Sequence, residues 1–371
     1  MQRLTIKPRN NWEDKIKEQG FLYYKDYYNE QAAYKFTSSE VDAIESATAE
    51  IFDMCLKVVE YVIDKELWEE FFIAKKYADL IKWSWKEDMM SFYGRLDLAY
   101  NGKDIKLLEF NADTPTSLLE ASVVQWYWLQ DYDKTKDQFN SIHEKLVAHM
   151  KVCKPYFLEG SLYFACVNNS YEDFMTVKYM QDVADQASIK NDFIYIEDVS
   201  LNQQNEFCTK EGILIKNIFK LYPYEWLFNE EFGDALLSTK DQCYWIEPAY
   251  KAILSNKMLL KYLYYLYPNS KYILPCEYSK PITNNYVKKP VYSREGANIK
   301  IVKNNYTIAE SHGEYGEEGF LYQEYFEVPK FDNMTPIIGS WLIGGVAAGM
   351  GIRESNSLIT DNMAKFCPHF F

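Results

Sequence analysis

Arg95, Asp97, Glu109, Asn111 and Asp113 lie in one stretch of the chain, Gly94 to Gln125, at two-residue spacings on either side of Asn101-Gly102. Leu96, Leu98 and Tyr100 alternate with the polar residues before that pair, and Ile105, Leu107 and Leu108 begin a second apolar pattern after it. Alternation of this kind predicts two strands, and Asn-Gly supplies the backbone for a tight turn. Side chains two apart share a face of a strand, so Arg95 and Asp97 go together, as do Glu109, Asn111 and Asp113. Folding the hairpin brings a cation beside several oxygen donors. Carboxylates with an amide carbonyl suit Mg²⁺, which fills its remaining positions with water and substrate phosphate. An ordinary hairpin with its polar face in solvent has the same alternation. The stretch differs from that in joining Arg to the acids just ahead of a helix start, read at Asp113-Thr114-Pro115, with an apolar helix from Leu118 to Leu129.

Four further groups could do chemistry. Ser161 to Ile196 reads as strand, helix, strand, which implies a parallel layer, and ligands of such layers collect beyond the carboxyl ends of the strands. That loop ends in Glu172-Asp173, a pair able to hold an amine or, more simply, to complement a helix dipole. Tyr286 to Lys289 reads as a strand leading into a loop with Arg294, Gly296 and Asn298. A strand-end lysine with a glycine-containing basic loop can cradle a triphosphate, although a surface basic hairpin looks alike. Leu321 to Phe326 is a strand suited to a nucleotide hinge, and Ile338 to Arg353 is a glycine-punctuated hairpin ending in an isolated cation.

The elements that must carry these residues can be read more coarsely. Tyr23 to Tyr34 reads as a packed surface helix. From Thr37 to Met90 the pattern is helical, with Ser38 or Ser39 as cap and Val41, Ile44, Ile51, Met54, Val58 and Val62 on one face. The first ninety residues thus read as a covering layer without chemistry, and Asn256-Lys257 opens another amphipathic helix. The 371 residues are 48% hydrophobic and 25% charged, a globular composition long enough for two or three compact units. The net charge of −14 argues against binding a phosphate backbone; it suits solubility and would favour cationic partners such as polyamines. Seven scattered cysteines without a CxxC pair point to reduced thiols in the cytoplasm. The apolar run Ile337 to Ile352 contains five glycines and is shorter than the ~20 residues that span a bilayer, and no signal peptide is recognisable at Met1. Neither HExxH nor GxSxG occurs.

In order along the chain, GRLDLAY…LLEFNADTPTS, EPAYKAILSNK, YVKKPVYSREGAN, YQEYF and GMGIRESNSLI resemble the synthetase part of glutathionylspermidine synthase and its stand-alone synthetase-like relatives. The resemblance runs from about Asn10 to the end. It implies a mixed α+β and α/β architecture, the ATP-grasp ligase fold, divided into a helical layer with the metal hairpin (1–150), an αβ substrate domain (151–245) and an ATP-binding portion with a lid (246–371). It also implies an ATP- and Mg²⁺-dependent ligation of a carboxylate to an amine. On this reading Asp97, Glu109 and Asn111 are the metal ligands and Arg95 sits by the reacting carboxylate. Lys257 and Lys289 bind ATP, Arg294 belongs to the phosphate loop, and Gln323, Glu324 and Tyr325 form the adenine hinge. Arg353 stabilises the transferring phosphoryl group, and Glu172 and Asp173 hold the polyamine, with Ser117 also on the substrate side. A lid formed by Ser293–Asn298 and Gly313–Gly319 would close to exclude water.

The implied substrates are a glutathione-like peptide carboxylate and a polyamine such as spermidine, with no nucleic-acid or membrane partner. The pattern departs from the bifunctional enzymes in three ways. No room precedes the synthetase motifs for an amidase domain, so amidase activity is expected to be absent. Glu295 stands in the phosphate loop where those enzymes have a neutral residue, and Ala112–Ser117 replaces a more serine-rich run, which weakens glutathione as the acid. The rival class is a non-catalytic nucleotide- or polyamine-binding protein that keeps the fold.

Overall fold

The computed structural model describes residues 1–361 and 363–371. Three sheets position the site. The central sheet is antiparallel, in the order Lys365–Cys367, Val346–Ser355, Thr335–Ile343, Tyr93–Tyr100, Ile105–Asn111. The hairpin read from Asn101-Gly102 is therefore one edge of a larger sheet whose other strands come from the end of the sequence. A second sheet is parallel, in the order Tyr244–Ile246, Asn217–Leu221, Leu162–Cys166, Asn191–Tyr195, with the helix Tyr171–Gln186 crossing between its last two strands as the strand–helix–strand pattern predicts. The third is antiparallel: Cys276–Tyr278, Phe320–Glu324, Tyr286–Pro290, Lys300–Lys303 and Tyr306–Glu310. The segments 1–150 and 246–371 thus share the central sheet.

The helix Ser38–Lys65 buries all six of the periodic apolar residues. Its cap is Thr37 instead of Ser38 or Ser39: the Thr37 hydroxyl accepts from the Glu40 amide while the Glu40 carboxylate accepts from the Thr37 amide at 2.9 Å, a reciprocal box that satisfies both donors. Tyr23 to Tyr34 is not one helix. Tyr24–Tyr27 makes a single turn, and Ala32–Lys35 is a strand between Gln2–Thr5 and His369–Phe370. Its pairing with the distant His369–Phe370 leaves no local signal. The helix after Pro115 also starts later than its turn chemistry suggests. Ser117 takes a left-handed backbone (φ +70°), helical structure begins at Leu118, and Glu120–Val124 widens to a π turn before Gln125–Tyr132. No helix among the described residues is long and apolar enough to cross a membrane.

Candidate functional site

A cleft of about 740 Å³ opens between the three sheets, lined by the hairpin acids, the carboxyl-end loops of the parallel sheet and the inner face of the third sheet. Its floor follows from strand register. Arg95 lies opposite Asn111 and Asp97 opposite Glu109, so all four share one face. Gly339, on the neighbouring strand, is opposite Asp97, and a Cβ there would lie 2.8 Å from Cδ of Arg95; the glycine gives the arginine room to lie along the sheet. Arg95 donates through Nε and Nη2 to the two Asp97 oxygens at 2.6 and 3.0 Å and through Nη1 to the Thr116 carbonyl at 2.5 Å. Asp113 does not join this face. It is buried with Lys220 of the parallel sheet at 2.5 Å, and its other oxygen accepts from the Tyr224 amide. The chain leaves the strand at Ala112, so the two-residue alternation ends before Asp113.

The charges of both lysines act on Glu109. Lys257 lies 3.3 Å from Glu109 Oε2, in a small recess adjoining the cleft, and donates to the Ser293 carbonyl at 2.8 Å. Lys289 donates to the Leu108 carbonyl at 2.9 Å and to Gln323 Oε1 at 2.8 Å. A register shift between Asp97 and Leu98 makes Leu108 an extra, unpaired residue of the hairpin, and this bulge turns its carbonyl toward the lysine. Burial alone would raise the Glu109 carboxyl, but Lys257 and Lys289, with Asn111 and Arg95, hold it down to about 2. Burial lowers Lys289, and Glu109 opposes that shift. Gln323 is buried and spent on Lys289 and the Leu107 carbonyl, so its side chain does not line the cleft, whereas Glu324 and Tyr325 do.

Asp97 and Glu109 supply hard anionic oxygens, and the Asn111 amide bridges them at 3.1 and 3.4 Å. No group of three His, Cys, Asp or Glu gathers there among the described residues. The donor set is a partial one, which fits an ion that completes its shell with water and phosphate better than one caged by protein.

Arg353, opposite Ile337 in the central sheet, donates to the Asp361 carbonyl at 2.6 Å and lies 5.2 Å from the Tyr27 ring centre, with its Nε unpartnered among the described residues. Arg294 crosses from the third sheet to Thr114 Oγ1 and Glu225 Oε1, both at 2.6 Å. Glu172 and Asp173 occupy the first turn of their helix, where the Ser170 hydroxyl accepts from the Asp173 amide, and both also face the cleft. Burial and then the Asp173 charge raise Glu172, and burial raises Asp173 to about 6. Ser117 is set back from the main cleft, buried with its hydroxyl against that of Tyr27. Two cleft-side groups carry no sequence signal. Tyr27, from the segment read as lacking chemistry, lines the wall. Behind it Glu120 is fully buried, takes a hydrogen bond from Tyr23 at 2.9 Å and leaves one oxygen unpartnered among the described residues; burial and the Glu172 charge push its carboxyl up to about 8.

Comparison with known proteins bears on this geometry. The family described as glutathionylspermidine synthase preATP-grasp matches residues 3–371. A proposed acid–amine ligase of Haemophilus influenzae is 38% identical, the match covering 100% of each chain. Trypanothione synthetase of Crithidia fasciculata is 27% identical over 88% of this chain, and the bifunctional glutathionylspermidine synthetase/amidase of Escherichia coli is 22% identical over 90%. The chain spans only 52% and 58% of those two proteins. Among solved structures, a glutathione synthetase-like effector from Globodera pallida superposes with a TM-score of 0.56 at 11% identity, covering 98% of this chain and 97% of its own, a likeness of fold.

Proposed function

Since the chain belongs to the glutathionylspermidine synthase preATP-grasp family, we propose that it is an ATP- and Mg²⁺-dependent ligase that joins a peptide-like carboxylate, of the glutathione class, to a polyamine such as spermidine. The observation that carries this reading is the convergence of Arg95, Lys289, Arg294 and Arg353 with Asp97, Glu109, Glu172 and Asp173 on one cleft. Phosphoryl transfer requires fixed cations around the phosphates and oxygen ligands for a metal, and little covalent help from the protein.

Each group then has a task. Lys257 and Lys289 hold ATP phosphates, and Glu324 and Tyr325 border the adenine end. Asp97, Glu109 and Asn111 would hold the Mg²⁺, whose charge, when bound, offsets that of the phosphate oxygens. Arg95, oriented by Asp97 and the Thr116 carbonyl, directs the substrate carboxylate at the γ-phosphorus; Arg353 stabilises the charge that develops there. A carboxylate oxygen bonds to the γ-phosphorus as its bond to the bridging oxygen breaks, giving an acyl phosphate and ADP. Glu172 and Asp173 pair with ammonium groups of the polyamine while one neutral amine attacks the acyl carbon, expelling phosphate. These acids serve recognition, and no enzyme nucleophile is needed.

The test is ADP release by the purified chain, with peptides crossed against polyamines. Turnover that needs ATP, Mg²⁺, a peptide and an amine together is the expected result; nucleotide binding without turnover for any pair supports the non-catalytic binder instead. Glu109→Ala should abolish turnover with the fold kept, because it removes an anionic ligand that no neighbour replaces. Unchanged activity of that folded variant would defeat the metal assignment.

A further inference from the structure

Among the described residues, Arg294 is the one guanidinium that joins all three parts of the cleft. It lies in the loop after the strand Tyr286–Pro290, yet both of its hydrogen-bonded side-chain partners belong elsewhere: Thr114 to the exit of the central hairpin and Glu225 to the turn after the strand Asn217–Leu221. Its guanidinium carbon is 5.4 Å from the Trp226 ring centre. The two partners form one rigid seat. Asp113, next to Thr114, receives the amide of Tyr224, next to Glu225, and Lys220 closes the same knot from beneath with a buried ion pair. The loop itself fits closely. Gly296 has φ +70°, and a Cβ there would come within 2.6 Å of the Thr360 carbonyl. Burial works against the Arg294 charge and Glu225 outweighs it, so the cation stays raised above its ordinary value.

We propose that Glu225 is a positioning residue that anchors the 293–298 loop shut over the cleft through Arg294, with Thr114 as the second anchor. A charge-assisted bond between two units holds a lid only while both ends are present and oriented, and here the receiving end is built in before any ligand arrives. Resting on the ligase reading, the anchor has a chemical purpose. An acyl phosphate left open is lost to water: the water oxygen bonds to the acyl carbon, the bond from that carbon to the phosphate oxygen breaks, acid and inorganic phosphate are released, and the water proton passes to solvent. A loosened lid therefore spends ATP without making amide.

The experiment compares Glu225→Gln, Arg294→Gln and their double variant, with Thr114→Val as an independent probe of the same seat. In the ligand-free chain, amide hydrogen exchange across residues 293–299 should quicken by about fivefold in each single variant, and Glu225→Gln should add nothing in the Arg294→Gln background. With substrates, amide formed per ADP should fall severalfold in Glu225→Gln while the ATP Kd stays within about twofold, a split that a general loss of stability would not produce. Unchanged exchange in both Glu225→Gln and Thr114→Val overturns the anchor, as does an undiminished Glu225→Gln effect when Arg294 is already Gln. If the loop loosens as expected but the wild-type chain turns over no acid–amine pair, the anchor stands and the ligase reading falls.

Discussion

Glu172 and Asp173 show how one residue pair can satisfy two demands. As first-turn acids they complement the helix they begin, and as cleft residues they face the space a polyamine would fill. Burial raises Asp173 to about 6, so the folded chain holds its proton more tightly than the unfolded chain does. The sign follows: this contribution to stability is present in full below the ordinary aspartate range and is lost as pH rises through about 6, while attraction for an ammonium group is gained over the same rise. The amine KM should therefore increase severalfold as pH falls from 7.5 to 5.5, roughly, and as salt is added, and Glu172→Gln/Asp173→Asn should raise KM and flatten both dependences with ATP affinity unchanged. Equal amine use by the double variant would remove the polyamine assignment. These two acids were legible because a strand-to-helix loop is a recognisable place. Glu120 was not, since its meaning comes from burial beneath Tyr23, which no local pattern encodes.

At the scale of elements, alternation around Asn101-Gly102 told that Arg95, Asp97, Glu109 and Asn111 share a face, though it wrongly added Asp113, and the strand–helix–strand rhythm told the parallel layer. It could not tell the bulge at Leu108, because an extra residue in an apolar run looks like continued strand, and that residue supplies the carbonyl that fixes Lys289. Nor could it tell that Gly339 is needed for space. Gly339→Ala would press a methyl group to within 2.8 Å of Arg95 Cδ, and Arg95 is clamped by Asp97 and the Thr116 carbonyl. The arginine must shift while the sheet stays paired, so kcat should fall by about tenfold or more with Tm nearly unchanged. A steady-state assay beside a melting curve checks this; loss of Tm in step with kcat would mean the strand itself is disturbed.

Over the whole molecule, the central and parallel sheets are joined beneath the cleft by Asp113 and Lys220. Both side chains are buried, and burial lowers Lys220 against the pull of Asp113. Removing one charge strands the other, so Lys220→Met should cost about 3–5 kcal/mol in denaturant unfolding. Asp113→Asn combined with Lys220→Met should recover part of that loss, since neither remaining group is ionised; an additive double variant would contradict the pairing. This knot was invisible in the sequence, where Asp113 looked like one more oxygen donor. The same holds for the central sheet: its two hairpins were recognisable and its edge strand Lys365–Cys367 was not, and the order that sets Thr335–Ile343 beside Tyr93–Tyr100 comes from long-range packing.

That order has a consequence for synthesis. On the ribosome the strand Tyr93–Tyr100 is made with its neighbour Ile105–Asn111, but the strand that covers its other edge follows roughly 220 residues later, about 10–45 s of elongation. Through that interval an open strand edge is exposed to any extended segment nearby. Arg95 and Asp97, side by side on that strand, are the kind of inward-facing charges that discourage mistaken pairing. The residues proposed to handle the substrate carboxylate and the metal are thus charges carried by a strand whose second edge stays open until the end of synthesis.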